Sequence, residues 1–173
     1  SILRATPQTG EITFEGQPFH GQVIYTGAVD EFFDFQHGEL PYRSLHFEFR
    51  SIEEDLHQPV AVVNYPNEHE FTRITEFKHM TQQRLPCVTT VAEEYPRPYD
   101  RSAPTGNEPY YPIPQAATAE LHARYLELAG GFSNLHLIGR LAEYRYYDMN
   151  DIIVRSLDAF DSITKRSTKF LSR

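Results

Sequence analysis

The chain has 173 residues, 40% of them hydrophobic and 23% charged, which is typical of a globular protein and excludes a largely disordered one. A formal net charge of −8 argues against nucleic acid as a partner, because phosphate backbones attract basic protein faces. The apolar runs are too short to cross a bilayer and no signal peptide is visible, so we predict a cytoplasmic protein without a membrane partner.

Several kinds of catalytic site find no support in the sequence. Cys87 is the single cysteine, which excludes an internal disulfide and a cysteine-based metal site, and the eight histidines form no HExxH motif. A GxGxxG loop, a GxxxxGK[ST] loop and a GxSxG motif are also missing. We therefore expect no bound metal and no side-chain nucleophile of the hydrolase type.

The N-terminal part of the chain contains two short strand patterns and one short helix pattern. Strands are predicted over residues 11–15 and 21–25, and the second strand ends in Thr26 and Gly27. A strand that ends in glycine lets another group approach the backbone closely, although a plain turn is the simpler explanation. Aromatic residues at helical spacing predict a short helix within residues 30–42.

Four strand patterns follow at short spacing, with no long helix pattern between them. They cover residues 44–49, 59–65, 71–78 and 86–95. Such spacing predicts a mostly antiparallel sheet. The next stretch, residues 96–114, is rich in proline and tyrosine and is predicted to be an extended loop.

The C-terminal part begins with the clearest helix pattern, residues 115–129. An apolar strand over residues 135–138 then leads into the loop GRLAEYRYYDMND, and a helix is predicted to begin near Asp148. Such junctions bring N–H groups and the positive end of a helix to a point where anions and cofactors bind, although an ordinary helix start beneath a loop explains the stretch as well. The basic tail, residues 162–173, is predicted to fray.

Arginine and tyrosine are unusually frequent. The chain has 13 Arg against 3 Lys, together with 11 Tyr. The planar fork of arginine suits bidentate contacts to phosphate, whereas a bias in surface composition is an equally good explanation of these counts. The polar residues that interrupt the strand patterns predict a site for a small diphosphate ligand, and they are Arg43, Asn64, Arg73, Glu94, Arg97, Tyr111, Arg140 and Tyr146.

Six segments resemble, in order and spacing, the UDP-galactopyranose mutases. They read YTGAVDEFFDFQHGELPYRSLHFE, AVVNY, FTRITEFKH, EEYP, EPYYPIP and GRLAEYRYYDMND, and the resemblance runs from Gly21 to Leu157. It covers the C-terminal half of that family's usual length, so the family's flavin-binding glycine loop, helical domain and mobile lid lie outside it. We therefore expect the chain alone to be inactive and to retain no flavin.

The resemblance implies an α+β fold. A mostly antiparallel, substrate-binding sheet would be joined by the C-terminal strand and helix of a Rossmann-like FAD domain. The implied division is residues 1–29 for strands of the FAD domain, 30–114 for the sheet region, 115–161 for a helix-strand-helix segment that closes the FAD domain, and 162–173 for a flexible tail.

The family interconverts UDP-galactopyranose and UDP-galactofuranose for the biosynthesis of cell-surface galactofuranose, with reduced FAD as the nucleophile. The resemblance therefore implies an isomerase that is a flavoprotein, with Arg43 and Arg73 in supporting catalytic roles. Implied substrate-binding residues are Asn64, Arg73, Glu94, Tyr111 and Tyr146. Implied cofactor-binding residues are Thr26, Gly27, Arg43, Arg140, Tyr147, Asp148, Met149, Asn150, Asp151 and Ile152.

Three residues depart from the family's pattern. Phe71 stands where many members have Tyr, Phe77 where many have His, and Asn150 where many have Asp. Asn150 lies within the cofactor-contacting run, so the departure puts the detailed cofactor contacts of that run in question and not the function. Two other functions stay open, a non-catalytic sugar-nucleotide-binding module and another flavin-dependent oxidoreductase, and the sequence also leaves open a homo-oligomer.

Overall fold

The computed structural model describes residues 3–103 and 107–171, with side chains through Lys165. The chain divides into two compact units. The first unit comprises Ser1–Tyr42 and Tyr111–Arg173, and the second, which we call the sheet unit, comprises Arg43–Tyr110. The predicted division into four segments had placed its boundaries at residues 30, 115 and 162 and stays a prediction.

The sheet unit is built from four antiparallel strands and one short helix. These are β5 (Tyr42–Ile52), which begins at the last residue of the first unit, β6 (Val62–Asn64), β7 (Arg73–Glu76), α2 (Phe77–Thr81) and β8 (Thr89–Pro98). The strands lie in the order β6, β7, β8, β5. The prediction of a mostly antiparallel sheet in an α+β fold is confirmed.

The strand bounds differ from the predicted ones at two places. The pattern over residues 71–78 ends as a strand at Glu76, because the next residues form α2, which Gln82 closes with a φ of 54°. The last strand starts at Thr89 and continues to Pro98, so it takes Arg97 out of the predicted loop and into the sheet. For β8, the pairing with β5 along ten residues decides where the strand ends, and local propensity does not.

A buried carboxylate holds the end of β7. Glu76 has no exposed surface, and it accepts hydrogen bonds from the backbone N–H groups of His57 and Gln58, both 3.0 Å, and from the Thr89 hydroxyl, 2.6 Å. Desolvation raises the pKa of the Glu76 carboxyl, but these donors and the nearby His79 outweigh it, so the pKa lies below its usual value. Glu76 thereby fixes the β5–β6 connection against the sheet.

Among the described residues, the first unit contains six strands and three helices. The strands are β1 (Leu3–Thr6), β2 (Glu11–Phe14), β3 (Gln17–Pro18), β4 (Val23–Tyr25), β9 (Tyr111–Pro112) and β10 (Leu135–Leu137). The helices are α1 (Val29–Phe32), α3 (Ala116–Gly130) and α4 (Met149–Leu171). Strands β1, β2 and β3 form an antiparallel meander, and β4 pairs with β10 in parallel.

Tyr125 of α3 and Asp30 of α1 organise the core of the first unit. The fully buried Tyr125 stacks on Phe33 and donates its hydroxyl to the carbonyl of Gly38 at 2.6 Å. Asp30, 1% exposed, accepts the Leu40 N–H at 2.8 Å and the Tyr42 hydroxyl at 3.1 Å. Desolvation raises the pKa of Asp30, although these hydrogen bonds partly oppose it.

One prediction for the first unit needs correction. The helix predicted within residues 30–42 is only the four residues of α1, because Asp34 and Phe35 both adopt positive φ angles and turn the chain. The structure describes the tail from residue 162 as a continuation of α4 as far as Leu171, and its flexibility stays a prediction; residues 172–173 lie outside the described residues. Strands β1 and β3 were not predicted, because four and two residues are too short for a clear alternation.

In the part of the chain that the structure describes, no helix is both long enough and apolar enough to cross a membrane. The same residues contain no cluster of three His, Cys, Asp or Glu side chains that could hold a metal ion.

Replacing Glu76 by alanine should lower the free energy of unfolding by about 3 kcal/mol, because three donors, two of them in buried hydrogen bonds, lose their acceptor. A carboxyl with a lowered folded-state pKa stabilises the fold above its unfolded-state pKa and loses this effect as pH falls through the folded-state pKa. Urea denaturation should therefore show the difference between wild type and Glu76→Gln shrinking in acid. The exposed Glu68→Ala is the control. An equal loss of unfolding free energy in Glu76→Ala and Glu68→Ala would contradict the role of Glu76.

Asp30 should have the opposite effect on the pH dependence of stability. Because its folded-state pKa is raised, ionisation in the folded protein is unfavourable at neutral pH, and this cost disappears as pH falls through the folded-state pKa. Wild type should therefore gain stability relative to Asp30→Asn as pH is lowered from neutral, measured by urea denaturation. The exposed Asp34→Asn controls for the loss of one negative charge. A constant difference between wild type and Asp30→Asn at all pH values would refute this assignment.

Candidate functional site

Three of the predicted substrate-binding residues lie in one row across the sheet unit. The register pairs Asn64 of β6 with Arg73 of β7, and Arg73 with Glu94 of β8. Residues that are directly opposite in antiparallel strands point to the same face of the sheet. The row continues to Phe47 of β5, which is paired with Glu94.

Arg73 is held from both sides within this row. Its Nε donates to Asn64 Oδ1 at 2.9 Å, and its Nη1 lies 3.5 Å from Glu94 Oε1. The side chain of Arg73 is 41% exposed, whereas that of Glu94 is 12% exposed. A guanidinium has five N–H donors in a rigid fork, so a fixed and half-exposed arginine of this kind can take an anion from solvent without first being ordered.

Phe47 and Tyr110 border the row, and sequence reasoning did not find them. The two rings meet edge to face with their centroids 6.1 Å apart. Phe47 is half-buried and Tyr110 is exposed. The alternation in β5 showed that Phe47 lies on one face of a strand, but only the register shows that the face carries Arg73.

Arg43 and Arg97 are the two predicted residues of the sheet unit that lie apart from the row. Arg43 shares the face of Phe47 but precedes it by four residues, which is about 13 Å along a strand. Arg97 is paired with the buried Ser44 and alternates with Glu94, so it lies on the opposite face. Arg97 therefore does not lie in the row with Arg73, although the sequence had predicted both for one site.

In the first unit, Arg140 brings together residues that had been assigned to two different ligands. Its Nε donates to the carbonyl of Tyr147 at 2.9 Å. Its guanidinium carbon lies 5.5 Å from the ring centroid of Tyr111 and 4.7 Å from that of Tyr146. Both are cation–π distances. The predicted cofactor residue Arg140 and the predicted substrate residues Tyr111 and Tyr146 thus form one group.

The parallel strands β4 and β10 place Thr26, a predicted cofactor residue, beside Gly139. Their carboxyl ends lie next to each other, because the N–H of Ile138 donates to the carbonyl of Tyr25 at 3.1 Å. Beyond these ends, a Cβ atom added to Gly139 would lie 3.8 Å from Thr26. Gly139 has a φ of 110°, which only glycine adopts without strain. The carboxyl edge of a parallel sheet is where ligands bind in open α/β folds.

Gly27 permits a close approach, as the sequence suggested, but the approaching group is the chain's own Tyr25. A Cβ atom at Gly27 would lie 2.6 Å from the Tyr25 hydroxyl, which donates to the carbonyl of Ala28 at 3.2 Å. Desolvation raises the pKa of Tyr25, so this hydroxyl stays protonated and keeps donating.

The predicted cofactor-binding run, residues 147–152, covers the start of α4. Tyr147 is buried, whereas Asp148, Met149, Asn150 and Asp151 are exposed. The first turns of a long helix present unpaired N–H groups and a positive dipole end, which suit a phosphate.

Glu143 fixes this helix to the loop before it, and sequence reasoning did not identify it. Its Oε2 accepts the Gly139 N–H at 3.1 Å, and its Oε1 accepts Nε of Arg155 at 2.8 Å. The Glu143 side chain is 18% exposed. A single carboxylate thereby ties the strand end of β10 to α4.

Replacing Gly139 by alanine should lower the free energy of unfolding by about 1–3 kcal/mol, because the residue must keep a positive φ. Thermal or urea denaturation would measure this loss. Gly130→Ala is the matched control, since no atom lies within 4 Å of its added Cβ and its φ is not positive. Equal stability of Gly139→Ala and the control would show that the loop relaxes without cost.

Comparison with known proteins agrees with the segments noted above. The family model for UDP-galactopyranose mutase matches residues 5–146. The chain is 40% identical over 148 residues to the UDP-galactopyranose mutase of Mycoplasma pneumoniae and 37% identical over 151 residues to that of Mycoplasma genitalium. It is also 34% identical over 140 residues to the dTDP-fucopyranose mutase of Escherichia coli.

These matches cover most of this chain but a minor part of each relative. They span 85%, 87% and 80% of the chain, against 37%, 37% and 36% of the respective relatives. The chain therefore spans little more than a third of the length of these relatives. On the family model and on these identities, the chain belongs to the UDP-galactopyranose mutase family.

Proposed function

We propose that this chain carries the nucleotide-sugar-binding sheet and part of the flavin site of an enzyme that interconverts UDP-galactopyranose and UDP-galactofuranose. The observation that carries the proposal is the row of Asn64, Arg73 and Glu94, in which a half-exposed guanidinium is already oriented for an anion. Membership of the mutase family supplies the reaction type, an isomerisation of a sugar ring on a nucleotide.

Arg73 is the residue that would bind the diphosphate. When the bond between the anomeric carbon and the diphosphate weakens, negative charge develops on the phosphate oxygens, and a fixed guanidinium stabilises that charge without reorganisation. Asn64 and Glu94 hold the fork in place, so little side-chain entropy is lost on binding. Glu94 also offers a carboxylate acceptor to sugar hydroxyl groups.

In the first unit, the proposed substrate-binding residues are two tyrosines. Tyr111 and Tyr146 lie on Arg140 and carry hydroxyl donors that add no charge. A neutral donor strengthens the hold on phosphate oxygens without competing for the carboxylate partners of the arginines. Tyr146 is 58% exposed, so its hydroxyl can reach a ligand.

The residues at the β4 and β10 strand ends fit FAD. The paired carboxyl ends, the glycine at 139 and the first turn of α4 together form the kind of edge at which dinucleotides bind. Thr26, Gly27, Arg140 and residues 147–152 would hold the cofactor, and Arg43 is the residue of the sheet unit that the family resemblance implies for cofactor binding. Reduced flavin, when bound, supplies a nucleophile for the anomeric carbon.

The chain alone would lack activity under this proposal. It spans little more than a third of the relatives' length, and it has no GxGxxG loop for a dinucleotide pyrophosphate. The function therefore belongs to the longer polypeptide that would contain this chain, and that polypeptide is the material for the test.

In that full-length protein, Arg73→Ala should lower kcat/KM for UDP-galactofuranose about a hundredfold or more under reducing conditions, because a charge-stabilising donor is lost. Arg73→Lys should recover a minor part, since an ammonium keeps the charge but not the fork. Arg84→Ala, an exposed arginine of the same unit, is the control and should retain wild-type turnover.

Three outcomes would count against the proposal. A colourless full-length protein without flavin absorbance and without redox-dependent turnover would exclude the mutase function. Turnover of dTDP-fucopyranose in preference to the UDP-sugar would show that the enzyme prefers the sugar nucleotide named for the Escherichia coli relative. Tight UDP binding by the 173-residue chain, lost in Arg73→Ala and indifferent to flavin, would favour a non-catalytic binding module.

A further inference from the structure

The loop between β10 and α4 contains a turn that closes on a tyrosine where glycine is usual. The N–H of Arg145 donates to the carbonyl of Arg140 at 3.0 Å, and the N–H of Tyr144 donates to the carbonyl of Leu141 at 3.4 Å. These two bonds form the Schellman arrangement, whose closing residue is left-handed and most often glycine. Tyr144 takes that position with a φ of 46°. A non-glycine residue in this conformation costs free energy and persists only where other contacts hold it.

The side chain of Tyr144 makes the contacts that hold this conformation. Tyr144 is 5% exposed, and its hydroxyl donates to the carbonyls of Pro41 at 2.8 Å and Ile113 at 3.0 Å. Its ring centroid lies 5.4 Å from the centroids of both Tyr42 and His122. Desolvation raises the pKa of Tyr144, so the hydroxyl stays protonated and keeps donating. A glycine would relieve the backbone but would lose all of these contacts.

The Tyr144 hydroxyl joins this turn to the segment that carries Tyr111. Ile113 follows Tyr111 by two residues, and the N–H of Ile113 donates to the carbonyl of Pro41 at 3.1 Å. The carbonyls of Ile113 and Pro41 therefore lie together at the Tyr144 hydroxyl. The position of Tyr111 relative to the turn thus depends on this one buried hydroxyl.

The same turn brings Tyr146 back to Arg140. Because Arg145 is bonded to Arg140, the next residue, Tyr146, lies with its ring centroid 4.7 Å from the Arg140 guanidinium carbon. The ring of Tyr111 lies 5.5 Å from the same atom. Both tyrosines therefore reach Arg140 through parts of the chain that Tyr144 fixes.

We propose that Tyr144 is the positioning residue of this group, and that it holds Tyr111 and Tyr146 on Arg140 in the arrangement that receives the diphosphate. This role rests on the proposed function, which assigns the two tyrosines to the substrate. Tyr144 is buried and acts through its neighbours, without touching the ligand itself. A group that is already arranged loses less conformational freedom on binding, so loss of the anchor should lower affinity.

Titration with UDP of the full-length protein that would contain this chain tests the effect on affinity. Tyr144→Phe removes one buried hydroxyl donor and should raise the Kd for UDP about tenfold. The matched control is Tyr125→Phe, because Tyr125 is a fully buried tyrosine of the same unit that donates to the carbonyl of Gly38 at 2.6 Å. This control should keep the wild-type Kd, even where denaturation shows a similar loss of stability.

A double-mutant cycle separates positioning from a general loss of stability. If the Tyr144 hydroxyl acts through Tyr111, Tyr144→Phe should raise the Kd for UDP much less in a Tyr111→Ala background than in the wild type. A defect that is only structural would raise the Kd by the same factor in both backgrounds, and that result would overturn the proposal.

Two glycine and alanine variants test the strained backbone. Tyr144→Gly should melt at a higher temperature than Tyr144→Ala, because both lack the anchor and only glycine accepts the left-handed conformation without strain. The opposite order would show that the turn changes its conformation when the side chain is removed, and that the strain is not held by the rest of the loop.

Hydrogen exchange provides a readout that needs no ligand. The Arg145 N–H, which is bonded to Arg140, should exchange about tenfold faster in Tyr144→Phe than in Tyr125→Phe or the wild type. Equal exchange in all three proteins would overturn the positioning role. If wild type binds UDP and Tyr144→Phe keeps its Kd, the positioning role also fails while the proposed function stands. A wild-type protein that binds no UDP would overturn the proposed function, and with it the assignment of this group to the diphosphate.

Discussion

The register between β7 and β8 is the constraint on which the sheet unit depends. By pairing Arg73 with Glu94, it fixes which side chains share a face, and it extends to Asn64 on one side and Phe47 on the other. A shift of one residue would turn Arg73 to the opposite face, because side chains alternate with a period of two. The orientation of the Arg73 guanidinium therefore depends first on strand pairing and only then on its own contacts.

Each unit has a buried carboxylate, and ionisation of the two carboxylates has opposite effects on stability. Glu76 is surrounded by donors that outweigh its desolvation, so its ionised form stabilises the sheet unit. Asp30 also accepts hydrogen bonds, but its desolvation prevails, so its ionised form carries a cost in the first unit. Both carboxylates are buried and both accept hydrogen bonds, so burial alone does not indicate the direction of the pKa shift.

Helix α4 has two distinct parts, its first turn and its exposed outer face. Its first turn, tied to the loop through Glu143 and Arg155, belongs to the proposed cofactor site. Its outer face, which carries Ile153, Leu157 and Phe160, is exposed. The first turn and the outer face thus lie on different parts of the same helix.

The sequence by itself determined the fold class, the family and the order of the main elements, because these depend on local periodicity and on short ordered motifs. It could not determine that residues 77–81 leave the strand as a helix, that Arg97 enters the sheet, or that α4 continues to Leu171. It also missed Phe47 and Glu143, whose positions follow from cross-strand pairing and from a contact between a loop and a helix. Only the tertiary structure decided which polar residues share a face and which stand apart, because that depends on register and on long-range packing that no local pattern contains.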